Sequence, residues 1–198
     1  YLESALPLAQ ALGDHFLDRE SGGFFLTPDD GETLVTRPKV VHDAAILSGN
    51  AVAARELIRL SRLTGDPAWE GLGTSLLSAF RREMEAMPSA CTGLLMALDL
   101  ASFPSAGVVI AGDAGSEDTA ALLRVLRTAY LPSTPVMLVP GEGDGPARAA
   151  LTPSTPIYRR VDGEATAYVC TGSTCHAPVT KPDALAALLG IPPPPRKP

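Results

Sequence analysis

Apolar and polar positions alternate with a helical period through the first hundred residues. Apolar side chains recur every three or four positions in segments at about 2–17, 49–64, 67–87 and 89–102. Pro7 interrupts the first segment, so this helix either begins near Pro7 or kinks there. The four segments predict helical hairpins that pack helix against helix.

A stretch rich in glycine and aromatic residues separates the first two predicted helices. The sequence Gly22-Gly-Phe-Phe25 and the pair Leu34-Val35 are typical of short extended runs. Between them lies Pro28-Asp-Asp-Gly31, which is typical of a tight turn. This pattern predicts a β-hairpin inserted between two helices.

The pattern changes at Phe103-Pro104. An apolar run at 108–110 is bounded by glycines, a helical-period segment covers 117–130, and a second apolar run covers 136–139. A strand, a helix and a strand of these lengths predict a right-handed βαβ unit with parallel strands.

Two further strands are predicted after this unit, at 157–161 and 167–170, followed by a last helix. Thr180 is the predicted N-cap of that helix, and Gly190 ends it. The residues beyond it are rich in proline and are predicted to be disordered.

The predicted fold class is therefore mostly α with a small α/β part. Helical hairpins with the β-insert occupy residues 1–103, a small βαβ-containing subdomain occupies 104–190, and the proline-rich tail covers 191–198.

Composition and charge narrow the possible partners. The 198 residues are 45% hydrophobic and carry a net charge of -6, which fits a folded protein without a basic surface for nucleic acid. No apolar run reaches the ~18 residues of a membrane span, and no secretory signal is visible. The chain begins at Tyr1 within a helical pattern, so we expect a fragment that lacks its own N-terminus. The expected location is the cytoplasm.

A polar cluster precedes the second predicted helix. Its members are Arg37, Lys39, His42, Asp43, Ser48 and Asn50. His42 beside Asp43 could perform general acid–base catalysis, and the other four could bind a polar ligand near the helix N-terminus. The alternative is a solvated or structurally hydrogen-bonded group, because adjacency in sequence does not establish contact in space.

Cys170 and Cys175 form a possible thiol pair with four residues between them. Reduced buried thiols, a local disulfide and a redox-active pair are all open. We expect a hairpin-like turn that brings the sulfurs close without a catalytic redox role. Only Cys91 remains, which is too few ligands for a structural zinc site, so neither a metal nor a cofactor is predicted.

These motifs together resemble a thioredoxin-domain-containing family typified by the spermatogenesis-associated thioredoxin-like protein and its bacterial relatives. The likeness covers nearly the whole chain. The matching residues are Gly22 to Phe25, Arg37-x-Lys39, Asp43-x-Ala45, Ser48 to Ala54, Ala165 to Cys170, Cys175, and Ala177 to Thr180.

The resemblance implies a layout of a thioredoxin-like domain, an (α/α)6 toroid like that of six-hairpin glycosidases, and a small C-terminal α/β portion. This chain would hold the last toroid hairpins and the α/β portion, and its partner would be the missing N-terminal part. The toroid implies carbohydrate binding or processing in its lumen, glycosidase- or epimerase-like if the protein is an enzyme. Arg37, Lys39, Asp43 and Asn50 would line that lumen.

The chain departs from the family pattern at three positions. Val40, Ala44 and Leu47 stand where the family usually has an acidic residue, a glycine and a proline. Val40 removes a carboxylate from the region where an acid–base group would be most useful. The rival hypothesis is therefore a non-catalytic structural or interaction module of a larger redox-linked protein, with no nucleic-acid or membrane partner.

Overall fold

The structure is a computed structural model of the chain that describes residues 2–103, 106–140, 158–171 and 174–192. The chain divides into two compact units, Tyr1–Phe103 and Pro104–Pro198. In the described part of the chain, no helix is long and apolar enough to cross a membrane.

The first unit is helical, as the periodicity predicts. Its helices are α1 (Leu2–His15), α2 (Gly49–Thr64), α3 (Pro67–Ala79), α4 (Arg81–Ala86) and α5 (Thr92–Ser102), with a 3-10 turn at Pro88–Ala90. Helix α1 runs through Pro7 rather than beginning there. The third predicted helix is divided at Phe80 into α3 and α4, and the fourth begins later than expected because the 3-10 turn precedes it.

Local signals account for the bounds of α2. The Ser48 hydroxyl accepts a hydrogen bond from the Ala51 amide at 3.2 Å, which is the usual N-cap contact. At the other end, Gly65 has φ 73° and donates its amide to the Ser61 carbonyl at 2.7 Å. A residue without Cβ adopts this left-handed conformation without steric cost, so the helix ends there.

Helices α2, α3 and α5 enclose the core of the first unit. Its fully buried side chains include Ile58, Leu76 and Leu94. Gly73 allows α3 to approach α2 closely, since a Cβ at this position would lie 3.0 Å from Ile58 Cγ1 and 3.1 Å from the Ala54 carbonyl oxygen. Burial of this apolar surface is the main stabilising contribution to the unit.

The predicted β-hairpin between α1 and α2 is wrong. This connection is described in full and contains only an isolated bridge between Leu17 and Phe24. Its backbone bonds instead to distant partners, such as the Leu26 amide to the Pro38 carbonyl at 2.8 Å. The run at Phe24 does not pair with Leu34-Val35, because the Asn50 side chain takes up both the amide and the carbonyl of Phe24.

In its described residues, the second unit contains a four-stranded mixed sheet and two helices. Its elements are β1 (Ala106–Ala111), α6 (Glu117–Thr128), β2 (Val136–Val139), β3 (Thr166–Thr171), β4 (Thr174–Cys175) and α7 (Pro182–Leu188). The strand order is β2-β1-β3-β4. Strands β1 and β2 are parallel, with Val108 opposite Val136, and this pairing confirms the predicted strand–helix–strand unit. Strand β3 is antiparallel to both β1 and β4.

Two local predictions in the second unit are wrong. The strand expected at 157–161 is absent from its described part, residues 158–161. Val161 makes only an isolated bridge to Glu164 across a tight turn. Thr180 does not cap the last helix, because α7 begins at Pro182 and its N-cap is Lys181. Position 157 and most of the predicted tail, 193–198, lie outside the described residues.

A carboxylate fixes the start of α6. The Asp118 oxygens accept the Thr119 amide at 2.8 Å and the Ala165 amide at 2.7 Å, so this side chain joins the helix to the residue that precedes β3. Hydrogen bonds from Ser116, Ala165 and Thr119 lower the pKa of Asp118 to about 2. The link is therefore ionised at neutral pH.

The close approach at Gly73 gives a stability prediction with a matched control in the same helix. We expect Gly73→Ala to lower the free energy of unfolding by about 1–3 kcal/mol, because the added methyl would press on α2. Gly71→Ala should instead raise it by about 0.5–1 kcal/mol, because nothing lies near the added methyl and alanine favours a helix. Urea unfolding of both variants measures the difference, and equal effects would contradict the proposed contact.

Candidate functional site

The polar cluster of the sequence lies within residues 37–50, here called the polar segment, which leads into α2. Asn50 is its most buried member, with 3% of its surface exposed. Its side-chain nitrogen donates to the carbonyls of Phe24 at 3.0 Å and Val40 at 2.9 Å, and its oxygen accepts the Phe24 amide at 2.7 Å. The Asn50 side chain, in the first turn of α2, therefore bonds to both the amide and the carbonyl of Phe24, as the backbone of a neighbouring strand would.

Arg37 joins the polar segment to the end of α1. Its Nη2 donates to the carbonyls of Thr27 at 2.7 Å and His15 at 3.0 Å. The guanidinium carbon lies 4.3 Å from the centre of the Phe25 ring, within the range of a cation–π contact. A cation at the carbonyl end of a helix is also favoured by the helix dipole.

Lys39 closes the turn that follows α1. Its ammonium donates to Asp18 Oδ2 at 2.7 Å, Ser21 Oγ at 2.8 Å and the Gly22 carbonyl at 2.8 Å. These three contacts use all of its hydrogens. The hydrogen bond from Lys39 is the main reason that the pKa of Asp18 lies well below its usual range. Hydrogen bonds from Ser21 and Glu20 lower this pKa further.

Asp43 bridges the starts of two helices. Its Oδ1 accepts the Ser48 amide at 2.9 Å, and its Oδ2 accepts the Gly93 amide at 2.7 Å and the Thr92 hydroxyl at 3.0 Å. Cys91, the N-cap of α5, makes no side-chain cap bond, so Asp43 supplies this function from 49 residues away in the chain. Burial opposes the charge of Asp43, but the bonds from Gly93, Ser48 and Thr92 together lower its pKa.

The remaining two predicted residues differ in exposure. Ser48 is buried and caps α2, so its hydroxyl is occupied. His42 is exposed, and no described residue forms a hydrogen bond with its side chain, so the predicted His42–Asp43 pair is not hydrogen-bonded within the described chain.

The structure thus places the predicted residues in two groups. Arg37, Lys39 and Asn50 hold the connection between α1 and α2, whereas Asp43 and Ser48 lie where α2 and α5 begin. Their catalytic and ligand-binding roles stay predictions. The sequence reasoning missed Asp18 and Thr92, because 21 and 49 residues separate them from their partners and no local spacing marks the contact.

A second polar group lies at the end of α1. His15 Nδ1 is 3.0 Å from Asp29 Oδ1 and 3.7 Å from Asp30 Oδ2, and all three side chains are largely exposed. Their ligand atoms lie within 4.8 Å of one another, a spacing that a metal ion could use. The nearby charge of Arg37, which helps to lower the pKa of Asp29, disfavours a cation here. We interpret the group as an exposed ion-pair network.

The first unit also carries an apolar groove between α3, α4 and α5, with a volume of 520 Å³. Its apolar lining residues are Leu77, Met84, Leu95, Leu98 and Ala101. Two charged residues of α4, Arg81 and Glu85, also line it. Leu98, one of the lining residues, is 40% exposed.

In the second unit, Cys170 and Cys175 are joined by a disulfide, with their Cα atoms 3.9 Å apart. The third cysteine, Cys91, is free and fully buried in the first unit. Burial raises the pKa of the Cys91 thiol, and the charges of Asp43 and Glu83 raise it further. Cys91 is therefore an unreactive thiol.

Comparison with known proteins identifies mammalian relatives. The chain is 34% identical to Spermatogenesis-associated protein 20 of Homo sapiens over 190 residues, which are 96% of this chain and 24% of that protein. It is 34% identical to the protein of the same name from Rattus norvegicus and 33% identical to that from Mus musculus. No family model matches the chain. The chain spans about a quarter of the length of these relatives, and the likeness to spermatogenesis-associated proteins is confirmed.

The Asp43 bridge gives the second prediction. Asp43→Ala should lower the free energy of unfolding by about 1–3 kcal/mol, since it leaves the start of α5 uncapped and the buried Gly93 amide unpaired. The control is His42→Ala, which changes an exposed neighbour and should stay within about 0.5 kcal/mol. Urea unfolding at pH 7 measures both; an unchanged Asp43→Ala variant would show that the bridge contributes nothing.

The His15 group gives a pH prediction. Its hydrogen bond to Asp29 raises the pKa of His15, and Asp30 raises it further. The stabilisation from His15 is therefore complete below its unfolded pKa and is lost as pH rises through the folded pKa. The stabilisation from Asp29 is lost as pH falls through its own lowered pKa. The pair contributes most between these two values.

Histidine NMR titration measures this shift. Asp29→Asn should lower the His15 midpoint more than Asp30→Asn does, because the hydrogen bond to Asp29 is the larger cause. If both variants leave the His15 midpoint where it was, the ion-pair interpretation is wrong.

Proposed function

We propose that the chain is a non-catalytic structural module of a longer protein of the same family as spermatogenesis-associated protein 20. The supporting observation is that the buried and half-buried polar groups of the polar segment bond to the chain itself. Both amide hydrogens of Asn50 and all three hydrogens of Lys39 have partners. A ligand would have to break these bonds before it could use the same hydrogens.

We further propose a place for this module within the longer protein. We assign the first unit to the last hairpins of an (α/α)6 toroid and the second to a C-terminal α/β portion, in a polypeptide that also carries a thioredoxin-like domain. The similarity to relatives of which the chain matches only 24% supports a longer polypeptide. In this arrangement another helix of the same polypeptide would fill the apolar groove at Leu77, Leu95 and Leu98.

Carbohydrate binding in the toroid lumen is the second candidate function. One observation favours it: the starts of α2 and α5 meet at Asp43, and exposed His42 lies beside it in the chain. Helix N-termini with polar side chains are suitable for a hydroxylated or anionic ligand. In that case His42 and Asp43 would act on the sugar, and Arg37, Lys39, Ser48 and Asn50 would position it.

Substitution of Asn50 separates these functions. As a structural clamp, Asn50→Ala should lower the free energy of unfolding by about 2–4 kcal/mol, because backbone groups of Phe24 and Val40 lose their partners. Asn50→Asp should also destabilise, since a carboxylate cannot donate to the two carbonyls. Val52→Ala, in the same helix but partly exposed, is the matched control and should change stability by about 0.5 kcal/mol or less.

The contrary outcome is equally definite. If Asn50→Ala keeps or gains stability, the residue is not a clamp and the structural proposal fails. Carbohydrate binding then predicts that a panel of mono- and oligosaccharides raises the melting temperature of the unmodified chain and does not raise that of the Asn50→Ala variant.

A further inference from the structure

The disulfide of the second unit lies at the edge of its sheet. Cys170 and Cys175 are direct partners in the antiparallel register of β3 and β4, and Thr171 pairs with Thr174 beside them. Strand β4 has only these two residues and is the last strand in the sheet order. Cys175 is exposed and Cys170 is partly exposed, so solvent reaches this end of the sheet.

The chain after Cys175 is held to β3 by other contacts. The His176 amide donates to the Val169 carbonyl at 2.9 Å, and Ala167 and Val179 exchange two hydrogen bonds at 2.8 and 3.0 Å. Helix α7 follows, and its Leu185 is fully buried in the core. The disulfide therefore holds only the start of the segment that begins at Cys175. The bonds between Ala167 and Val179 and the buried Leu185 hold the rest of this segment independently.

The core of the unit does not depend on the disulfide. Its buried side chains include Val108, Ile110, Leu122 and Leu185, and neither cysteine contributes to it. The bond also closes a loop with a sequence separation of only five, and the restriction of the unfolded chain by a disulfide is smaller for shorter loops. Opening the bond should thus change the sheet edge locally and leave the unit folded.

We propose that the Cys170–Cys175 disulfide is a thiol–disulfide exchange site that opens by attack of an external dithiol on Cys175. The attacking thiolate forms a bond to Cys175 Sγ, the bond between the two protein sulfurs breaks, and Cys170 leaves as a thiolate that takes a proton from water. The second thiol of the reductant then attacks the reductant's first sulfur, which is bound to Cys175 Sγ in the mixed disulfide. This step releases Cys175. The protein gains two thiols, and the dithiol becomes a disulfide.

The exposure of the two cysteines determines the direction of attack. The residue on β4 is the more open one, because that strand has no neighbour beyond it among the described residues. Opening leaves Thr174 and Cys175 with only their hydrogen bonds to β3, and a two-residue edge strand is not stable on that basis. The result is a sheet edge whose pairing depends on the redox state.

The first experiment uses the unmodified chain in mixtures of reduced and oxidised dithiothreitol, followed by iodoacetamide and intact-mass analysis. Two adducts, mapped to Cys170 and Cys175, should appear while circular dichroism is unchanged. Buried Cys91 is the internal control and should react only in urea. The proposal is overturned if the pair reacts only after unfolding, or if reduction unfolds the second unit.

A second experiment tests which sulfur is attacked. When each variant is converted to its mixed disulfide with thionitrobenzoate, dithiothreitol should release the dye from Cys175 of the Cys170→Ser variant about tenfold faster than from Cys170 of the Cys175→Ser variant. Melting temperatures establish that both variants are folded. Equal rates, or the opposite order, would overturn the assignment of Cys175 as the attacked residue.

Amide hydrogen exchange of the unmodified chain provides a measurement that needs no variant. On reduction, the His176 amide should exchange about tenfold faster or more, whereas the Ala167 and Val179 amides keep their protection. A purely structural disulfide would instead leave the His176 amide unchanged or release all three amides together, and either result would contradict the local opening.

Discussion

The path of the connection between α1 and α2 depends on one buried amide side chain, that of Asn50. Asn50 lies in the first turn of α2, where burial requires every polar atom to have a partner. Its partners are backbone groups of Phe24 and Val40, so the connection between α1 and α2 can take only the path that satisfies them. Once Phe24 is fixed, the Phe25 ring is held beside Arg37, whose other contacts reach the end of α1.

The contrast between α2 and this connection shows what sequence reasoning can predict. The bounds of α2 follow from Ser48 and Gly65, which act within one turn of their own position. The path of the connection between α1 and α2 cannot be predicted from local pattern, because the Phe24 amide bonds to a side chain 26 residues away. The extended run at Phe24 does have strand-like hydrogen bonding, but the Asn50 side chain supplies the pairing that the pattern assigned to a second strand.

The same distinction applies to the candidate site. The sequence marks Arg37, Lys39, Asp43 and Asn50 because such polar residues before a helix can bind ligands or fix backbone, and residue type alone does not separate the two uses. In the structure, the hydrogen-bond partners of these side chains belong to the chain itself. Any residue type could serve at position 40, since Asn50 contacts the Val40 carbonyl, a group that every residue provides.

Both units use an aspartate to join a helix start to a distant part of the chain. Asp43 connects the start of α5 to the amide before α2, and Asp118 connects the start of α6 to Ala165. Hydrogen bonds stabilise the ionised form of both carboxylates, chiefly from the Ser116 side chain and then from backbone amides at Asp118, and from backbone amides against the opposing effect of burial at Asp43. The folded pKa of each lies below its ordinary value. A lowered folded pKa means that each link is complete above the unfolded value and weakens as pH falls through the folded one. Acid therefore acts on both units through the same kind of contact, even though one is helical and the other contains a sheet. In each unit a charged side chain thus joins parts of the chain that lie far apart in sequence, and local sequence patterns do not reveal such a link.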